Sequence, residues 1–432
     1  MQEKVLGKKL DSKKQIAILG LSSLYANNNK LHYREAYCMH DYFNIGGNRE
    51  QQLGNLLTLI AEDLDIPEDL KAGLVLKYNH LGSWIRKDNE DRYRTESEIY
   101  PQGSVRLGTS IQPVTLECGY DVDIVYLRRL SKNSISQEQL VEQAGEQLKR
   151  YIEFRRLEGK EVPELVRRRR CWAMNYPGRF HMDVLPALPD DDGTLFTRSM
   201  ETSILLTDRQ LWQWQYSNPK AYAEWFRECE ILAFTEKRIS MARAGNVEVE
   251  QIADDAVKTP LRVSVQILKR HRDVRYSGNP DDKPISIIIT TLAAAAYRNE
   301  RELFDALMGI ITRMETSIEM IDGKWWIPNP VNPKENFADK WNQFPQRAQR
   351  FFEWLAAVKA DLEALLQLSG LNNISSSLSA SFGSDVVERS MKKFGDGVDA
   401  SQQRGDLRMA VGTGMLNMST GTKVVKNTWY GN

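Results

Sequence analysis

Tyr120-Asp121-Val122-Asp123-Ile124-Val125-Tyr126 is the stretch from which the rest of the chain is best read. Period-2 alternation puts Asp121 and Asp123 on one face of a strand and turns Val122 and Ile124 to the other. Two carboxylates side by side repel each other, and a fold tolerates that mainly where a divalent cation lies between them. A solvated edge strand could also carry them, but the apolar neighbours count against exposure. A third carboxylate, Asp183, interrupts the apolar run Phe180-His181-Met182-Asp183-Val184-Leu185-Pro186, where an unpaired charge would be costly. If the two strands are neighbours, the three aspartates form a ligand set for two Mg²⁺ ions, with Mn²⁺ as a substitute, bound together with a nucleoside triphosphate.

Seventeen residues before Asp121 the chain reads Gln102-Gly103-Ser104. Alone, a Gly-Ser pair is a turn signal. Next to acidic strands it has a use: glycine lets the backbone approach phosphate oxygens, and Ser104 adds a hydroxyl donor where a helix would begin. The pattern GxxxxGK[ST] is absent, so this is not a Walker loop.

Charge and composition narrow the classes. Lys+Arg and Asp+Glu both number 58, so the formal net charge is zero, which argues against a surface that coats duplex DNA or anionic membrane. No run of about 18 to 20 apolar residues suits a membrane span, and MQEKVLGKKLDSKKQ has no secretory signal pattern. Cys38, Cys118, Cys171 and Cys229 are scattered without CxxC or a zinc spacing, which points to reduced thiols in a cytoplasmic protein.

The 432 residues are expected to form more than one domain. Helices are expected from about 14 to 80. An α+β region follows from about 97 to 190, with strands at Asp121 to Leu127, around Arg168 to Met174, and at Arg179 to Leu188. A helix from about Gln137 to Glu153 separates the first two, and Tyr176-Pro177-Gly178 reads as a hairpin turn between the last two. From about Asn218 the pattern is almost wholly helical, interrupted at Ile327 to Pro333. The expected division is 1–217 (N-terminal helices and mixed core), 218–400 (helical) and 401–432 (a flexible tail rich in Gly, Ser, Thr and Asn).

The Gln-Gly-Ser turn, the Asp-Val-Asp strand and the later single Asp resemble the polymerase-β-type nucleotidyltransferase superfamily. More narrowly, from Ser97 to Trp341, the chain resembles the bacterial cGAS/DncV-like nucleotidyltransferases (CD-NTases). The resemblance implies a polymerase-β-like core, a mixed sheet flanked by helices, packed on a helical domain like that of 2′-5′ oligoadenylate synthases. It implies an enzyme that makes cyclic di- or trinucleotide signals from NTPs in bacterial antiphage defence (CBASS). Asp121, Asp123 and Asp183 would hold the metals, with Asp183 the candidate base, and Gln102, Gly103 and Ser104 would form the phosphate turn. Lys269 matches a lysine that contacts the triphosphate and Ser286 a serine that does the same. Asn329-Pro330-Val331-Asn332-Pro333 resembles a structural segment of the helical domain. The same core serves RNA-directed and antibiotic nucleotidyltransferases, and a catalytically silent nucleotide sensor is a further alternative.

Thr259-Pro260 has the form of an N-cap with proline at the first helical position. Beyond it Arg262, Gln266, Lys269 and Asp273 share a polar stripe opposite Leu261, Val265 and Leu268, for which a solvated face is the plain alternative. Arg167 to Arg170, on the expected second strand, read as a solvated edge or as a lining of a nucleotide groove or partner surface. His181 and His271 read as packing residues. Trp429 and Tyr430 near the C-terminus read as a docking peptide, and the resemblance implies conjugation of such a tail through a terminal glycine, where this chain has Gly431 followed by Asn432.

Overall fold

The computed structural model describes residues 48–114, 119–176, 180–190, 202–208, 213–252, 254–279, 281–409, 416–417 and 421–424. Two helices lead in, α1 (Arg49–Asp63) and α2 (Glu68–Asp88). Asn48 starts α1 through a capping box with Gln51, which satisfies two end donors and contributes about 1 kcal/mol. The mixed core follows as β1 (Ser97–Pro101), α3 (Gly103–Leu107), β2 (Tyr120–Arg128), α4 (Gln137–Leu157), β3 (Glu164–Arg167), β4 (Trp172–Tyr176), β5 (Phe180–Pro189), β6 (Ile204–Leu206) and β7 (Gln215–Ser217). The helical half comprises α5 (Pro219–Cys229), α6 (Ile231–Gly245), α7 (Pro260–Arg275), α8 (Ser286–Ala296) and α9 (Leu303–Arg313). Strands β8 (Glu319–Ile321), β9 (Lys324–Trp326), β10 (Pro328–Asn329) and β11 (Asn332–Asn336) intervene. The half ends with α10 (Asp339–Gln343), α11 (Pro345–Gln367), α12 (Leu371–Phe382) and α13 (Ser384–Arg404).

The central sheet runs β1-β2-β5-β4-β3, with β6 on β5 and β7 on β6. Its middle pair, β2 and β5, is parallel, and every other pairing in it is antiparallel. Alternation sorts the two faces. Tyr120, Val122, Ile124 and Tyr126 of β2 join Met182 and Val184 of β5 in a core covered by Leu81 and Ile85 of α2 and Leu148 and Tyr151 of α4. On the opposite face Val125 and Leu127 of β2 and Ala187 of β5 join Tyr100 and Ile204 in a smaller core, and Asp121, Asp123 and Asp183 precede it on that same face. A larger core joins α1 to α7, α9, α11 and α13 through Leu57, Ile60, Val265, Leu268, Leu307, Trp354 and Val387. Each fully buried Leu, Ile or Val side chain among them contributes about 1.5–3 kcal/mol.

Several expectations need correction. The second strand does not begin at Arg168: β3 ends at Arg167 and Arg168 to Cys171 form the turn to β4, closed by the Arg168 N–H to the Cys171 carbonyl at 2.9 Å. Adjacent guanidiniums separate easily where a strand gives way to a turn, and here Glu142, Asp183 and Asp208 draw them apart. Nor is the stretch after Asn218 helical throughout. Asp322 (φ 49°) and Gly323 (φ 72°) make the two-residue turn of the β8–β9 hairpin, an Asp-Gly signal that sequence reasoning passed over. The β4–β5 hairpin is present, with residues 177–179 outside the described set. Cys38, Cys118, the expected helices before residue 48 and the aromatic C-terminus also lie outside it, while Cys171 and Cys229 are free thiols. No helix among the described residues is long and apolar enough to cross a membrane.

Candidate active site

The register of β2 and β5 decides the site. Asp123 lies directly opposite Asp183, and Asp121 opposite His181, so all three aspartates share one face of adjacent parallel strands. Burial, followed by the Asp183 and Asp121 charges, raises the Asp123 carboxyl to about 6. Asp121 is raised as well, by burial first and then by Asp183. Asp183 turns one oxygen to Arg168 at 3.2 Å, while its Oδ1 is buried without a hydrogen-bond partner. Buried acceptors normally have a partner, so this orphan marks a place where a cation or donor fits. Among the described residues, no three His, Cys, Asp or Glu side chains are already drawn together at metal-ligand spacing. The donor chemistry, three carboxylates with no thiolate or imidazole, fits a hard divalent cation.

The Gly-Ser turn is locked to the acidic strand. The Gln102 N–H donates to the Asp123 carbonyl at 2.9 Å, and Gly103 takes φ +61° at the start of α3. A Cβ there would stand 2.9 Å from Asp123 Oδ2, so this glycine is needed for both backbone and space. Ser104 accepts from the Ser110 hydroxyl at 3.1 Å, and its carbonyl accepts from the Thr109 N–H at 3.0 Å.

The polar stripe of α7 reaches the same loop from the helical half. Every residue from Leu261 to Arg272 is buried, so the stripe is not a solvated face. Thr259 caps the helix by accepting from the Arg262 N–H. Gln266 donates to the Ser110 carbonyl at 2.8 Å, and Lys269 Nζ donates to the Thr109 carbonyl and hydroxyl at 3.1 and 3.2 Å. Two of the three lysine donors are thus used on the loop that carries Ser104. Burial, then the nearby Arg272 charge, lowers Lys269 to about 7, while Asp273 and Asp123 partly oppose the shift. Arg262 instead forks onto Glu230 at 2.6 and 2.9 Å, a buried pair that braces α5 and α6 against α7.

Ser286 begins α8 and is exposed; its hydroxyl accepts from Arg272 Nη1 at 2.9 Å, one turn beyond Lys269. Lys283, just before α8, also lies close enough to bias Asp121. Asp121, Asp123, Asp183, Gly103 and Lys269 are therefore electrostatic or steric neighbours, and Ser104 and Ser286 connect to them through Ser110, Thr109 and Arg272. Gln102 contributes its backbone. Sequence reasoning missed Thr109, Ser110, Arg272 and Lys283, whose roles depend on long-range contacts. His181 bonds Asn175 at 2.9 Å, and His271 accepts from the Trp354 indole and contacts Asp361 at 3.0 Å, so both are held by packing partners. The cavity of about 760 Å³ around Trp225, Leu292 and Tyr297 lies at the far end of α8 and contains none of these residues.

Residues 52–230 match the SMODS family, the Second Messenger Oligonucleotide or Dinucleotide Synthetase domain. The chain is 29% identical over 396 residues to a c-di-GMP synthase of Roseivirga ehrenbergii, covering 90% of this chain and 99% of that protein. It is 23% identical over 362 residues to the cyclic dinucleotide synthase CdnG of Bradyrhizobium diazoefficiens, covering 79% and 83%. The structure of that CD-NTase in complex with GTP superposes with a TM-score of 0.61 at 21% identity, over 80% of this chain and 99% of that one. The mixed sheet, the acidic face beneath the Gly-Ser turn and the matching sequence thus agree: residues 52–230 match the SMODS family, and the chain is similar in sequence to cyclic dinucleotide synthases and in fold to a bacterial CD-NTase.

Proposed function

We propose that this protein is a nucleotidyltransferase that joins NTPs into a cyclic dinucleotide with release of pyrophosphate. The observation that carries the reading is the β2–β5 register, which sets Asp123 beside Asp183 and Asp121 on one face under the Gly103-Ser104 turn. Kinship with cyclic dinucleotide synthases favours two nucleotides over three. Asp121, Asp123 and Asp183 would hold Mg²⁺, two ions in this reading. Bound there, the ions would lower the pKa of the attacking ribose hydroxyl and neutralise charge on the leaving pyrophosphate.

The chain's own residues supply the rest. Asp183 would take the hydroxyl proton, a reading supported by its Oδ1, which is buried without a hydrogen-bond partner. Ser104 and the backbone at Gly103 would bind phosphate oxygens. Lys269 would steady the Thr109–Ser110 loop and offer its third donor to the triphosphate, with Ser286 closing from α8. A ribose hydroxyl attacks an α-phosphorus, the bond to the pyrophosphate oxygen breaks, and a second such transfer closes the ring. A role in antiphage defence, a cytoplasmic location and a docking function for the C-terminus belong to the same reading.

Purified protein with Mg²⁺ and mixed NTPs should release pyrophosphate and yield phosphatase-resistant nucleotides, identified by mass spectrometry. Asp121→Ala combined with Asp123→Ala should abolish both. Products that are only linear would defeat the cyclase reading, and growth of an RNA 3′ end or labelling of an aminoglycoside would favour the other transferases built on this core.

A further inference from the structure

Three of the four consecutive arginines are committed away from the acidic face. Arg167 pairs with Glu142 of α4, and Arg169 and Arg170 both pair with the fully buried Asp208. Arg168 turns the other way and meets Asp183 Oδ2 through a single nitrogen at 3.2 Å. Its positive charge is also felt at Asp121 and Asp123.

The contact is a weak one. The arginine side chain is 46% exposed and sits on a turn, its fork is engaged at one nitrogen only, and the other Asp183 oxygen stays unpaired. A monovalent, half-solvated partner of this kind partly balances three clustered carboxylates without satisfying them.

We propose that Arg168 is a displaceable counter-ion of the carboxylate cluster, holding Asp183 in the metal-free protein and leaving that oxygen when a divalent cation binds. It is a positioning residue that sets metal affinity, and it is not a ligand. The inference rests on reading Asp121, Asp123 and Asp183 as the cation site. Removing Arg168 takes away a competitor and makes the cluster more negative, and both effects act in the same direction. A half-exposed pair of this type corresponds to a roughly two- to fivefold change in affinity.

The test is a titration of the full-length protein with Mn²⁺, followed by the paramagnetic resonance signal of the free ion, with no nucleotide and hence no turnover. Arg168→Gln is expected to bind Mn²⁺ roughly two- to fivefold more tightly than wild type. Arg168→Lys, which keeps the cation, should stay close to wild type. Arg167→Gln, which removes the same charge facing away, should also stay close. Thermal melts should agree: in EDTA Arg168→Gln melts below wild type, and saturating Mn²⁺ closes the gap. Unchanged or weaker Mn²⁺ binding by Arg168→Gln, in a wild type that does bind Mn²⁺ and loses it with Asp121→Ala and Asp123→Ala, overturns this inference alone. A wild type that binds no Mn²⁺ overturns both this inference and the metal site beneath it.

Discussion

Replacing Asp123 by Asn should stabilise the metal-free protein while destroying its activity. Asp123 lies opposite Asp183 on the neighbouring strand and two residues from Asp121, and burial with those charges lifts its carboxyl from 3.8 to about 6. At about 1.4 kcal/mol per unit, its ionisation costs the fold roughly 3 kcal/mol as an upper figure. The sign follows from linkage. The folded pKa is raised, so the cost is absent below the unfolded value near 4, grows as pH rises between about 4 and 6, and is complete above 6. Asn has nearly the same shape and carries no charge. In EDTA at pH 7.5, scanning calorimetry should therefore find the variant melting about 2–4 °C or more above wild type. At pH 4 the two melts should converge, because wild-type Asp123 is then protonated when folded. Saturating Mn²⁺ should narrow or invert the difference, since only the wild type offers the full carboxylate set. A variant that melts below wild type in EDTA at pH 7.5, or whose gain is as large at pH 4, would refute this account of the cluster.

Three further outcomes follow from named contacts. Arg262→Ala removes the forked partner of the fully buried Glu230 carboxylate, leaving it the Thr259 hydroxyl and Arg227 at 3.6 Å, and should cost about 3–5 kcal/mol in urea unfolding; a loss under about 1 kcal/mol would mean that the pair is not the brace between α5–α6 and α7. Gly145→Ala on α4 would set a Cβ 2.3 Å from the Trp172 ring, so about 1–3 kcal/mol of destabilisation and an altered tryptophan emission are expected. Lys269 is lowered to about 7, so in the free protein its charge is present below pH 7 and is lost as pH rises through it. Affinity for a non-hydrolysable NTP, measured by calorimetry, should fall by up to about tenfold per pH unit above 7 in wild type, and Lys269→Met should remove that slope.

Much of the candidate site's layout was legible because its signals are local. The alternation around Asp121 and Asp123 sorts the faces of β2 from sequence alone, and the cost of a lone carboxylate singles out Asp183 on its apolar strand. Thr259-Pro260 marks the start of α7, and Tyr176-Pro177-Gly178 marks the β4–β5 hairpin, because caps and turns depend on a few adjacent residues. The arginine run was misplaced for the opposite reason. A run of like charge carries no instruction about its partners, and Glu142 comes from α4, Asp183 from β5 and Asp208 from the segment after β6.

By itself, then, the sequence determined which residue types must share a strand face and where caps and turns interrupt the chain, since backbone periodicity and local hydrogen bonding set both. Only the tertiary structure decided that β2 and β5 run parallel with Asp123 against Asp183, that α7 is buried and braces the Thr109–Ser110 loop, and that one arginine of four faces the carboxylates. Those are contacts between residues far apart in sequence. They arise from the packing of apolar faces, and local pattern holds no record of which face meets which.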